Sequence, residues 1–284
     1  MSTTPQFEYV EGQGRPHYPA LIQTFMQDSD AVAQRADAML DVPYGPHSRQ
    51  RLDAFPSTQP ARGVLLYLHA GYWQSRDKSV FRWLASGLNA RGLHAVFANY
   101  PLCPDVSLAA LVDAVAPALA AAHGVMPEWL RLPLVVAGHS AGGHLACEMA
   151  LRAGNLLQGR GRVDGIWAIS GIYDLAPLCE TTLNERLQLT PEAAQAMSPL
   201  TRAKALDLPA VWMVGADETS EFLRQNRDMH TAWQAQGNPS QCVEVAGADH
   251  FTLLQDWDAL TPPMNAQWET LWAQVTERHA SKSV

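Results

Sequence analysis

Val-Val-Ala-Gly-His-Ser-Ala-Gly-Gly-His-Leu-Ala, residues 135–146, is the stretch on which the fold turns. Its first half is a short apolar run ending at Gly138, the form of a buried strand, and from Ala141 to Arg152 the residues suit a helix. Between them lies Gly138-His139-Ser140-Ala141-Gly142, a G-x-S-x-G turn. At this glycine and serine content the bare pattern arises about 0.07 times by chance, so its place between strand and helix carries the inference. Such a turn strains the serine backbone, and the flanking glycines avoid Cβ clashes. It lifts Ser140 Oγ clear of a sheet, in front of the free N–H groups and positive end of a helix.

Outward from this turn the chain alternates. Strands are expected at GVLLYLH (63–69), LHAVFANY (93–100), LPLVVAG (132–138), VDGIWAIS (163–170), LPAVWMVGA (208–216) and QCVEVAGA (241–248). Helices are expected over 77–90, 105–123 (kinked or divided at Pro117), 141–152, 220–235 and 264–279. Strands and helices alternating at these lengths give a mostly parallel sheet flanked by helices, with ligands beyond the carboxyl ends of its strands. One α/β domain is expected over 1–284. Residues 1–60 read as an N-terminal wrapping segment, with one or two helices within 20–40. Residues 171–205 read as a small helical cap inserted over the sheet, carried by TLNERLQL and PEAAQAM.

The chemically useful side chains fall at those strand ends. A serine hydroxyl needs a base, and in hydrolases on this sheet the chain order is serine, acid, histidine. His250, in VEVAGADHF after the last strand, is the expected base; His230 lies within a helix and His279 in the closing tail. Asp217, in VWMVGADETSEF after the fifth strand, is the expected acid. Glu218 and Asp249 are its rivals, Asp249 being awkwardly close in sequence to the base. Glu221 opens a helix, as a helix-terminal charge or part of a pocket wall.

The loop HAGYWQSRD (69–77) follows the first of these strands, where a second oxyanion donor is expected. The hole is assigned to the Ala141 N–H with N–H groups at Gly71 and Tyr72. His69 would pin the loop and border the substrate. Tyr72, Trp73, Tyr173 and Phe222 are expected to wall a slot for a flat aromatic substrate, against the plainer role of packing. His144, one turn after Ser140, would either bond behind the nucleophile or pack in the core.

Composition narrows the classes. The 284 residues carry a net charge of −8, which argues against a strongly basic nucleic-acid surface, and the nine tryptophans do not alternate with basic residues. No apolar run is long enough to span a membrane, and MSTTPQFEYV lacks the form of a signal peptide. Cys103, Cys147, Cys179 and Cys242 are widely spaced, as free thiols of a cytoplasmic protein are. His69, His139 and His144 lack a carboxylate at ligand spacing, so no metal is expected. Neither G-x-G-x-x-G after a strand nor GxxxxGK[ST] occurs, so no cofactor is expected. A homodimer is expected only from the general prevalence of such assemblies.

GHSAG, Asp217 and His250 in this strand order resemble the α/β-hydrolase fold over about residues 60–278. HAGYWQ, YPLCP, GHSAGGHLA, SGIYDLAPL and VGADETSEFLRQ together resemble the kynurenine formamidase (arylformamidase) family among the hormone-sensitive-lipase-like esterases. The family's HGGYW-type loop matches His69 to Trp73 except at Ala70, and its nucleophile, acid and base fall on Ser140, Asp217 and His250. The resemblance implies hydrolysis of N-formyl-L-kynurenine to kynurenine and formate, in tryptophan degradation. Two other readings stand beside it: a carboxylesterase or amidase for another small aromatic ester or amide, and a non-catalytic binding protein that kept the fold.

Overall fold

The computed structural model describes residues 3–156, 162–259 and 262–281. Its centre is an eight-stranded sheet in the order β1-β2-β4-β3-β5-β6-β7-β8. The strands are β1 (Met39–Pro43), β2 (Arg51–Phe55), β3 (Gly63–Leu68), β4 (Leu93–Ala98), β5 (Leu134–His139), β6 (Gly165–Ile169), β7 (Ala210–Gly215) and β8 (Ser240–Val245). β3 to β8 are parallel, as expected, while β1 and β2 add an antiparallel edge. The helices are α1 (Tyr18–Ala33), α2 (Ala85–Ala90), α3 (Leu108–Val115), α4 (Pro117–Gly124), α5 (Ala141–Leu156), α6 (Asn184–Leu187), α7 (Pro191–Ala196), α8 (Ser220–Ala235), α9 (Thr252–Ala259) and α10 (Pro262–Ser281).

Parallel strands covered on both faces are apolar throughout, and every residue of β3 to β7 is buried. Alternate residues feed two cores: Val64, Leu66 and Leu68 enter one, Leu65 and Tyr67 the other. β1 and β2 are not legible as strands in the sequence, because charged residues punctuate them. Asp53, fully buried in β2, is held there by Arg82 at 2.7 Å and Lys78 at 3.1 Å.

The helix expected over 77–90 is two 3₁₀ turns leading into the short α2, with Asp77 capping the Ser79 N–H. Pro117 divides the next helix into α3 and α4. Residues 171–205 fold as short turns around α6 and α7, and Leu187, Leu189 and Ala194 of this stretch enter the same core as α5. Among the described residues no helix is long and apolar enough to cross a membrane, and no group of three or more His, Cys, Asp or Glu could hold a metal ion.

Candidate active site

β5 pairs with β6 up to His139 and Ile169, and the Ser140 N–H extends that pairing to the Ile169 carbonyl at 2.8 Å. The chain then reverses into α5, with Ser140 at φ 58°, a left-handed conformation costly for a residue with a side chain. The turn closes only with glycines beside it. A Cβ on Gly138 would lie 2.1 Å from the Gly142 carbonyl oxygen, and one on Gly142 would lie 1.9 Å from that of Leu68. The first N–H groups of α5, beginning at Ala141, have no partner within their own helix.

His250 sits in the turn after β8. Its Nδ1 lies 2.6 Å from Glu218 Oε2, its one side-chain hydrogen bond among the described residues. Facing a carboxylate, Nδ1 carries the proton, which leaves Nε2 as the acceptor nitrogen. Phe222 meets the ring edge-on at 4.8 Å, and His139 and Phe251 pack against it at 4.5 and 5.3 Å. Burial and the neighbouring His250 hold the His139 imidazole well below its ordinary pKa, so it is neutral.

The carboxylate beside His250 is not the expected Asp217. Asp217 is exposed, and its backbone bridges the Ala248 carbonyl and Arg15. Glu218 is the carboxylate brought to His250. The turn after β7 returns the Glu218 N–H to the Gly215 carbonyl at 3.1 Å, which folds residue 218 back over the strand end. Glu218 Oε1 accepts from Ser170 Oγ at 2.5 Å and from the Gly215 N–H at 2.9 Å. Asp249 is occupied elsewhere: it caps the Phe251 and Thr252 N–H groups and pairs with His17 at 2.9 Å. Two adjacent carboxylates after a strand do not reveal the phase of the turn that separates them.

The loop after β3 carries Gly71 at φ 132°, then Tyr72 and Trp73 at 49° and 60°. The Gly71 carbonyl accepts from the Gln74 and Ser75 N–H groups, and a Cβ on Gly71 would fall 2.2 Å from the Ser75 oxygen. Consecutive left-handed residues of this kind mark a loop over-determined by its surroundings.

Four of the residues expected along the substrate are interior. His69 is fully buried, stacked on Tyr100 at 4.2 Å, and donates from Nδ1 to the Ala70 carbonyl at 2.8 Å; burial pushes its pKa down to about 4. It pins the start of the loop from within the core. Trp73 is fully buried edge-on to His144, and Tyr173 is fully buried against Trp212. Phe222, also buried, packs edge-on against the His250 ring. Each aromatic gains more by removing its large apolar area from water than by lining a slot. Tyr72 stays partly exposed, its hydroxyl donating to the Tyr9 carbonyl. His144 packs in the core with Nε2 2.9 Å from the Met197 carbonyl.

Two contributions escape the sequence. Ser170 is one. The other is the N-terminal segment, which ties the loops around the site together. Glu8 accepts from Ser220 Oγ at 2.8 Å and the Glu221 N–H at 3.0 Å, capping α8. Tyr9 donates to Glu221 at 2.9 Å and packs on Phe222. Arg15 and His17 reach the turns after β7 and β8. Glu221, its carboxyl held low by Arg224, borders with Glu8, Tyr9 and Arg224 a cavity of about 550 Å³. No sequence pattern announces these contacts, which join residues more than 200 apart. Ser170 has a signal that could have found it, because it too follows a strand.

A sheet of this topology with a G-x-S-x-G turn at its centre defines a class, and the chain belongs to the α/β-hydrolase fold family, whose model matches residues 65–254. Within that family it is kynurenine formamidase-like. It is 29% identical over 229 residues to kynurenine formamidase of Salmo salar, covering 78% of this chain and 77% of that protein. To the Danio rerio kynurenine formamidase it is 28% identical over 244 residues, covering 83% and 82%. Among solved structures, a putative thioesterase from Silicibacter sp. superposes with a TM-score of 0.79 at 26% identity, over 90% of this chain and 95% of that one. Esterase B of Lactobacillus rhamnosis shares the fold at 17% identity, with a TM-score of 0.69 over 93% and 95%.

Proposed function

We propose that this protein is a serine hydrolase that cleaves the formyl amide of N-formyl-L-kynurenine, giving kynurenine and formate. Ser140 is the nucleophile, His250 the base and Glu218 the acid. The observation that carries this reading is the 2.6 Å bond from Glu218 to His250 Nδ1, which fixes the imidazole tautomer a base needs. The similarity to kynurenine formamidases along most of the chain supports the substrate.

His250 Nε2 takes the proton of Ser140 Oγ as the oxygen attacks the formyl carbon. The C–O bond forms, and the carbonyl oxygen becomes an oxyanion facing the Ala141 N–H and the backbone N–H groups at Gly71 and Tyr72. The C–N bond then breaks, and the imidazolium gives its proton to the departing arylamine. A water, deprotonated by the same imidazole, attacks the formyl ester; the ester C–O bond breaks, the imidazolium returns the proton to Ser140 Oγ, and formate leaves.

A carboxylesterase or amidase for another small aromatic substrate is the second reading, favoured by the fold shared with esterases. A panel of N-formylkynurenine beside formyl, acetyl and butyryl esters and anilides separates the two. Formyl substrates should be turned over fastest, and Ser140→Ala should lose more than about 1,000-fold in turnover. Equal or faster turnover of butyryl substrates would refute the formamidase.

A further inference from the structure

We propose that Ser170, at the end of β6, is a positioning residue: its hydroxyl holds Glu218 in the one orientation that serves His250. This rests on the serine-hydrolase reading above.

A glutamate has one more rotatable bond than an aspartate, so a carboxylate on this longer arm needs fixing at its far oxygen. Glu218 Oε2 is committed to His250, and Oε1 receives two donors, Ser170 Oγ at 2.5 Å and the Gly215 N–H at 2.9 Å. The backbone donor comes with the strand end; the hydroxyl comes with the choice of residue 170.

That choice runs against local preference. Ser170 has φ 47°, a left-handed conformation in which glycine is at ease and a residue with a Cβ is strained. Its backbone N–H is already used, donating to the Met213 carbonyl at 2.6 Å and continuing the β6–β7 pairing. The residue is fully buried, so its hydroxyl cannot be satisfied by bulk solvent. Glycine would meet every backbone demand at this position. What serine adds is the hydroxyl, and that hydroxyl is spent on Glu218.

Two variants separate the hydroxyl from the strain. Ser170→Ala keeps the Cβ and loses the hydroxyl; Ser170→Gly loses both. The expected result is a kcat about tenfold lower in both variants on a 4-nitrophenyl ester, with KM within about twofold. The Tm of the glycine variant should equal or exceed that of the alanine variant. Without the donor the Glu218 charge is less neutralised and attracts the His250 proton more strongly. The acid limb of kcat/KM and the His250 NMR titration midpoint should therefore both move to higher pH in both variants. A glycine variant that keeps the parent's kcat while the alanine variant is impaired would assign the effect to strain and overturn the proposal. An unmoved His250 midpoint would overturn it too. The titration needs no substrate: a parent protein that turns over no ester sinks the hydrolase reading, while the midpoint still decides whether Ser170 sets the Glu218–His250 pair.

Discussion

Replacing Glu218 by glutamine exchanges one carboxylate oxygen for an NH₂ group and should remove most of the activity. In the parent, Oε1 accepts from Ser170 and the Gly215 N–H, while Oε2 faces His250 Nδ1. A glutamine amide can keep the first two bonds only by placing its own oxygen at the Oε1 position. Its NH₂ then points at His250 Nδ1. That nitrogen must become an acceptor, so the ring proton moves to Nε2, the nitrogen that should take the serine proton. The loss is therefore a wrong tautomer combined with a missing negative charge beside the imidazolium. Such a change is worth about 10⁴ in kcat, or about 5 kcal/mol of barrier. Asp217→Asn, one residue away, alters an exposed side chain and should change kcat by less than about twofold. The assay is kcat for a 4-nitrophenyl ester and for N-formylkynurenine, with circular dichroism to confirm folding. A Glu218→Gln protein of near-parent activity, or an Asp217→Asn protein that loses it, would refute the assignment.

Three further outcomes are expected. The His69 pKa is depressed to about 4 against an ordinary 6.5, chiefly by burial, so between these values the unfolded chain binds more protons and stability rises with pH. This one residue should cost about 2 kcal/mol at pH 5 relative to pH 7.5, checked by urea unfolding at both; His69→Asn should flatten the difference, and an unchanged slope would remove His69 as its source. Gly142→Ala drives a Cβ to 1.9 Å from the Leu68 oxygen and should destabilise the elbow by about 3 kcal/mol or more, read as a fall in Tm with loss of turnover. Glu8→Ala removes the cap of α8 and should cost about 1 kcal/mol in urea unfolding, with greater proteolysis within the first twenty residues.

The sequence discloses what local chemistry encodes. Ser140 and His250 each follow a stretch readable as a strand, and β3 to β7 announce themselves because their strands are apolar throughout. β1 and β2 do not, since paired charges such as Asp53 with Arg82 make a strand look like a loop. Asp217 reads as the partner of His250 in place of Glu218 because a one-residue difference in turn phase decides which carboxylate faces inward. Proximity to the motif puts Trp73, Tyr173 and Phe222 in a pocket wall, yet only the three-dimensional packing decides which way a ring turns. The N-terminal contacts of Glu8, Tyr9 and Arg15 leave no local trace, because each depends on a partner more than 200 residues away.

The most direct test of the nucleophile is intact-protein and peptide mass spectrometry after treatment with a fluorophosphonate. One adduct is expected, on Ser140, formed slowly in Glu218→Gln and absent in Ser140→Ala. A protein that stays unlabelled, or that carries its adduct on another residue, would contradict Ser140 as the nucleophile.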